Sequence, residues 1–204
     1  MPYDISSSSD NCYPNTTCLI NKFGIQDESA LNEVEANITF AKASLLSESP
    51  INGSFDFNHY KAIHKFLFED LFDWAGEIRT VNLSKKSTQF TAPEHIEERA
   101  STCFAQISKE NYFKDYKSDE FIDRIVDLYC DTNMIHPFRE GNGRTQRCFF
   151  EQLIRFVGYD VNFSNIDADE LMIATIQSAN GVTDNLGPYV QKIWKRNLAI
   201  SQVP

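Results

Sequence analysis

A chain of 204 residues, 42% hydrophobic and 13% aromatic, has the length of one domain and enough apolar side chain for a buried core, which excludes disorder over most of it. Its formal net charge of -10 excludes a nucleic-acid surface of the usual kind, because neutralising phosphates needs clustered Lys and Arg. No apolar run approaches the roughly 18 residues of a membrane span, and residues 1–17 lack the basic and apolar regions of a signal peptide, so the sequence reads as a cytoplasmic protein with no direct nucleic-acid or membrane partner.

The segment from Ser6 to Thr17 is rich in Ser, Asn and Pro and offers little to a core; residues 1–18 are expected to form a flexible tail, with order beginning near Leu19 and one domain over 19–204. From Asp27 onward Leu31, Val34, Ile38, Ala41 and Leu45 recur every three or four residues, which predicts a core-facing helix capped by Asp27 or Ser29. After a loop near Gly53, the same spacing predicts a second helix from Phe57 to Phe72 carrying Tyr60, Ile63, His64, Leu67, Phe68 and Leu71, with Gly76 as its stop. Between Arg79 and Thr91, Val81 and Leu83 alternate with polar neighbours and a Ser-Lys-Lys-Ser turn separates them from Phe90, the pattern of a short β-hairpin. Pro93 sits at a helix start. Amphipathic helices are then expected at about 94–109, 118–135, 143–157, 167–180 and 184–197, giving an all-α domain, a helical bundle with one hairpin. The five cysteines form no Cys-x-x-Cys pair and read as free, mostly buried thiols.

Chemistry concentrates in the run His136-Pro-Phe-Arg-Glu-Gly-Asn-Gly-Arg-Thr-Gln-Arg147, between two predicted helices. Gly141 and Gly143 let the backbone turn closely, and N–H groups entering a helix N-terminus suit phosphate. Arg144 and Arg147, three apart, are placed to fork onto phosphate oxygens from one helix face. Glu140 offers one hard carboxylate, which suits Mg²⁺ held mainly by phosphates and water. His136 has the residue type that takes a proton from a hydroxyl at neutral pH.

This run matches the signature His-x-Phe-x-(Asp/Glu)-Gly-Asn-Gly-Arg-x-x-Arg, and the chain resembles the Fic family over residues 19–197. Asp73 to Arg79 resembles the segment leading into that family's hairpin flap, Asn82 to Phe90 the flap, and Leu19 to Leu46 the N-terminal helix of toxin-like and effector members. The resemblance implies the Fic fold and a protein adenylyltransferase, an ATP-dependent nucleotidyltransferase that moves AMP onto a Tyr, Thr or Ser hydroxyl. His136 is then the general base, Phe138 the core anchor of the loop and Glu140 the Mg²⁺ residue. Gly141, Asn142, Gly143, Arg144 and Arg147 hold the phosphates. Val81, Asn82, Leu83, Thr88, Gln89 and Phe90 dock an extended target segment by strand addition to an exposed hairpin edge.

By the same resemblance the chain is the toxin of a toxin–antitoxin pair, with a small antitoxin protein as partner and a type II topoisomerase subunit as a candidate target. The family's inhibitory string (Ser/Thr)-x-x-x-Glu-(Gly/Asn) has its nearest match in Ser29 to Glu33, but Val34 follows where Gly or Asn is expected, so a built-in inhibitor is not expected. Three other readings stand beside AMP transfer: transfer of the terminal phosphate, against which Gly143 argues because kinase-like members carry Lys there; another donor; and a non-catalytic protein-binding module.

Overall fold

The computed structural model describes residues 4–5, 11–85, 88–161, 163 and 198–199. The described helices are α1 (Glu28–Glu48), α2 (Phe57–Phe68), α3 (Pro93–Lys109), α4 (Ser118–Ile135) and α5 (Asn142–Phe156), with a 3-10 turn at Asn111–Phe113. Strands β1 (Asp4–Ile5), β2 (Leu83–Lys85) and β3 (Thr88–Gln89) form one antiparallel sheet in that order, and β4 (Asp160–Val161) pairs with β5 (Leu198–Ala199). The fold is thus helical with a small hairpin, as expected. The helices expected at 167–180 and 184–197 lie outside the described residues.

The core sits where α2, α3 and α5 meet. Tyr60, Phe104 and Phe149, one from each helix, pack ring against ring with centroids 5.0 to 5.3 Å apart. Aromatic packing of this kind buries a large area and adds directional contacts. Local signals set the helix starts: Asp27 accepts from the Ala30 N–H and Asp56 from the His59 N–H, each satisfying a donor of a first turn that has no partner inside the helix.

Three expectations need correction. The second helix ends at Phe68, not Phe72, because the N-terminal loop supplies partners for the chain beyond: the Lys22 N–H donates to the Leu71 carbonyl at 2.8 Å and Lys22 Nζ to the Glu69 carbonyl at 2.7 Å. Among the described residues, packed structure includes Asn11 to Cys18, ahead of Leu19. Cys12 bridges Leu19, the Tyr13 N–H reaches the Cys18 carbonyl, and both cysteines are buried; β1 pairs Asp4 with Ser84 and Ile5 with Leu83. The β1 pairing has no local sequence signal, since its partner strand lies about 80 residues along the chain.

The third correction concerns the face of α1. Leu31 is buried and Val34 and Ile38 pack partly against the core, but Ala41 is exposed and Leu45 is 56% exposed. The inward residues include Glu35 and Thr39. A polar side chain is buried only where it finds a partner, and the partner here is Arg144. All five cysteines are free thiols, four of them buried.

Because the three-helix junction depends on Phe149, whose ring is fully buried, Phe149→Ala should lower unfolding free energy by about 3–5 kcal/mol. Urea titration followed by circular dichroism measures this; a loss below about 1 kcal/mol would mean the junction collapses around the gap.

Candidate active site

α4 ends at His136, whose backbone takes the left-handed conformation at φ 47°, ψ 61°. That geometry is disfavoured for a residue with a side chain, and it turns the chain sharply into the motif loop. Phe138 then inserts its fully buried ring between Tyr60, stacked at 5.6 Å, and His64, stacked at 3.7 Å. Asn142 closes the loop: its Oδ1 accepts from the Phe138 N–H at 2.9 Å and its Nδ2 donates to the Phe138 carbonyl at 2.7 Å. The carboxamide of Asn142, expected to hold phosphate, is engaged within the loop.

Gly141 opens α5 at φ +79°, and a Cβ there would lie 2.2 Å from Cζ of Phe68, so two separate constraints require glycine. Its N–H donates to Glu140 Oε1 at 2.8 Å. The N–H groups of the next turn lack intrahelical acceptors and sit at the positive end of the α5 dipole, which favours an anion. Gly143 is different. A Cβ at that position would meet only Arg147 Nη1, at an ordinary 3.5 Å, so its smallness bears on the space beside the guanidinium.

Arg144 and Arg147 have different surroundings. Arg144 turns toward α1, where Nη2 donates to Glu35 and, at 3.4 Å, to Glu140 Oε1, while Nη1 reaches Thr39 Oγ1 at 3.3 Å; its guanidinium lies over the Phe68 ring. Burial raises the Glu35 carboxyl above its ordinary range, with the Arg144 charge opposing and the Glu140 charge reinforcing. Arg147 has no ion-pair partner among the described residues, and Glu33, the nearest match to an inhibitory glutamate, is exposed with no ion pair to Arg147 among them.

His136 is 1% exposed and its ring lies flat against Phe90 of the hairpin, 3.9 Å between centroids and 11° from parallel. Its Nδ1 is 3.1 Å from the Asn133 carbonyl. A carbonyl only accepts, so Nδ1 carries the proton and Nε2 the lone pair. Burial lowers its pKa to about 3, with the Arg79 and Lys85 charges adding to the effect against the Asn133 carbonyl. His64 is likewise neutral and of fixed tautomer. The Gly76 N–H donates to its Nδ1 at 2.8 Å, its Nε2 donates to the Glu140 carbonyl at 3.1 Å, and burial lowers its pKa to about 3.

On the hairpin, Val81, Leu83, Thr88 and Phe90 face inward, whereas Asn82 and Gln89 are exposed. The expectation of a free edge needs correction for β2, whose outer side carries β1. The run therefore carries His136, Phe138, Glu140, Gly141, Asn142, Gly143, Arg144 and Arg147 across the end of α4, the connecting loop and the first turns of α5. Sequence reasoning missed Glu35, His64 and Arg79 as parts of the site. The Leu31, Glu35, Thr39 spacing was visible, but nothing in it identified Arg144 as the partner.

Comparison with known proteins gives a consistent result. The sequence profile of the Fic/DOC family matches residues 54–154. The chain is 34% identical to protein adenylyltransferase VbhT of Bartonella schoenbuchensis over 88% of its length, covering 37% of that longer protein. It is also 34% identical to a Sinorhizobium fredii protein named "Probable protein adenylyltransferase y4lH", with 89% of this chain and 92% of that protein covered. The ADP-bound N-terminal Fic domain of a VirB-translocated Bep effector protein from Bartonella quintana superposes with a TM-score of 0.83 at 25% identity, over 93% of this chain and 94% of that one.

The buried His64 has a consequence for stability. The unfolded chain takes up a proton at this residue near pH 6.5, and the folded chain only near 3, so the unfolded state binds more protons below pH 6.5 and stability is lost as pH falls through that window. Against His64→Gln, which has no such proton, wild type should lose an additional ~1.4 kcal/mol per pH unit below about pH 6. Parallel slopes in urea titrations at pH 6 and 5 would contradict a neutral His64.

Proposed function

The chain belongs to the Fic/DOC family and is an adenylyltransferase of it, and from that premise we propose that it moves AMP from ATP onto a Tyr, Thr or Ser hydroxyl of a target protein with His136 as general base. The observation that carries this reading is the tautomer of His136: the Asn133 carbonyl holds Nδ1–H, so Nε2 is the nitrogen that takes the proton, in the run that leads from α4 into α5. In the reaction the acceptor hydroxyl oxygen bonds to the α-phosphorus, its proton passes to His136 Nε2, and the bond to the β-phosphate oxygen breaks to release pyrophosphate. The helix N-terminus and Arg147 hold the phosphate chain, so most of the rate comes from positioning and electrostatics.

Glu140 supplies a single carboxylate, and no group of three His, Cys, Asp or Glu able to hold a metal occurs among the described residues. Such a donor set fits Mg²⁺ held chiefly by phosphates and water; when bound, the ion offsets charge on the triphosphate. The low pKa of His136 comes first from burial. Moving Phe90 off the ring admits solvent and returns the imidazole toward the range of a competent base, so the hairpin works as a flap that opens for the target. With β2 covered by β1, the outer edge of β3 is the docking edge, which main-chain hydrogen bonds from an extended segment would use.

Gly143 favours AMP transfer over transfer of the terminal phosphate. A lysine at 143 would set a second cation beside Arg147 Nη1, which lies 3.5 Å from the Cβ position. We further place the chain as a bacterial, cytoplasmic toxin restrained by a separate small antitoxin protein, with type II topoisomerase subunits the first targets to test. The exposed Glu33, with no ion pair to Arg147 among the described residues, supports separate control. Among the described residues no helix is long and apolar enough to cross a membrane.

Incubation of the purified chain with labelled ATP, Mg²⁺ and a bacterial lysate tests the reading. α-Labelled ATP should mark the target and γ-labelled ATP should not, and His136→Ala should slow labelling by a factor of about 10²–10⁴ while leaving ATP affinity near wild type. Label from the γ position, or an active His136→Ala, would overturn it. Glu140→Ala should reproduce the effect of EDTA; full activity in EDTA would remove the metal.

A further inference from the structure

Among the described residues Arg79 is a buried cation that reaches no carboxylate. It is 4% exposed, and each acceptor its guanidinium meets among them is a main-chain carbonyl: Nε donates to His136 at 2.8 Å, Nη1 to Val81 at 2.6 Å, and Nη2 to Thr91 and, at 3.4 Å, to Ile135. Its own backbone N–H donates to the Pro137 carbonyl at 2.9 Å. Burial lowers its pKa to about 10, so it stays charged at neutral pH. Burying a guanidinium without a counter-ion is expensive. Such a group persists where its geometry does something a neutral side chain cannot.

The geometry shows what that is. Val81 precedes β2 and Thr91 follows β3, so these carbonyls mark the two legs at the base of the hairpin, while the His136 and Ile135 carbonyls belong to the turn that presents the imidazole. The planar fork of one guanidinium spans all of them. The Thr91 N–H adds a bond to the Met134 carbonyl at 3.0 Å, which draws the same leg toward the same turn. His136 sits in a left-handed conformation that the chain would otherwise leave, and its carbonyl is one of the groups held.

We propose that Arg79 is a positioning residue that fixes the register between His136 and the target-docking hairpin, acting through main-chain carbonyls and touching neither nucleotide nor target. The proposal rests on His136 being the base. Lysine cannot substitute, because a single ammonium cannot reach carbonyls that diverge around a fork.

The test uses the full chain with ATP, Mg²⁺ and the lysate acceptor. Arg79→Lys should lower kcat by about 100-fold, the scale of a misplaced catalytic group, with the KM for ATP within about threefold of wild type. Arg79→Ala should lose as much, and low-millimolar guanidinium should restore part of its kcat while leaving wild type and His136→Ala unchanged. An unchanged kcat, a loss carried wholly by the KM for ATP, or a natively folded Arg79→Ala that guanidinium does not restore would overturn the proposal. Should Arg79→Ala fail to fold, Arg79→Lys decides through its kcat and KM split. Nitrogen NMR of the His136 ring separates this inference from the base assignment: wild type should show only the Nδ1–H tautomer, and Arg79→Lys a mixture. If wild type transfers no AMP, the base assignment fails and the ring spectrum alone judges Arg79, an unchanged tautomer in Arg79→Lys counting against it.

Discussion

The ring of Phe138, held between the imidazole of His64 and the ring of Tyr60, is the contact on which the motif loop depends. It works because His64 is neutral. Both of its ring nitrogens are engaged, one by the Gly76 N–H and the other by the Glu140 carbonyl, so the imidazole presents a flat apolar face with no net charge to desolvate. The aromatic stack joins the loop to α2 and thence to the three-helix junction at Phe149. With Phe138 anchored, Asn142 can bridge its N–H and carbonyl, and α5 starts in a fixed direction.

The two arginines of the loop illustrate how environment divides identical side chains. Arg144 is drawn to α1 by Glu35, a buried carboxylate whose cost is offset by the guanidinium, the Thr39 hydroxyl and an aromatic face. Arg147 remains beside Gly143, where an anion at the helix terminus would find it. The first helix is therefore tied to the loop through charge, and this explains why its inward face is part polar.

What was legible in the sequence follows from the range of the forces involved. The limits of α4 and the cap of α1 depend on residues within one turn and were readable from spacing. The motif residues were readable because many fixed positions fall in one short run. The early end of α2 at Phe68 was not, since Lys22 lies far from it in the chain, and neither was the turn of Arg144 toward Glu35. Arg79 stood in a segment singled out for its resemblance to the approach to a flap, yet its carbonyl partners at Ile135 and His136 can be found only once the chain is folded. The packing of residues 11–18 was missed because a polar composition says little about a segment that buries two cysteines, one of them beside Arg139.

The clash that a Cβ at Gly141 would make with the Phe68 ring also constrains how such a sequence can diverge. Position 141 cannot change first, because any added atom meets an aromatic ring packed in the core. Position 68 cannot shrink cheaply either, because it leaves a void under the loop and removes the face on which the Arg144 guanidinium rests. Only a paired change can move through this barrier, with a shorter side chain at 68 and, at 141, a residue such as asparagine that tolerates the left-handed backbone. In related sequences the two positions should therefore vary together or not at all, and a departure at one is a sign that α2 has shifted relative to the loop.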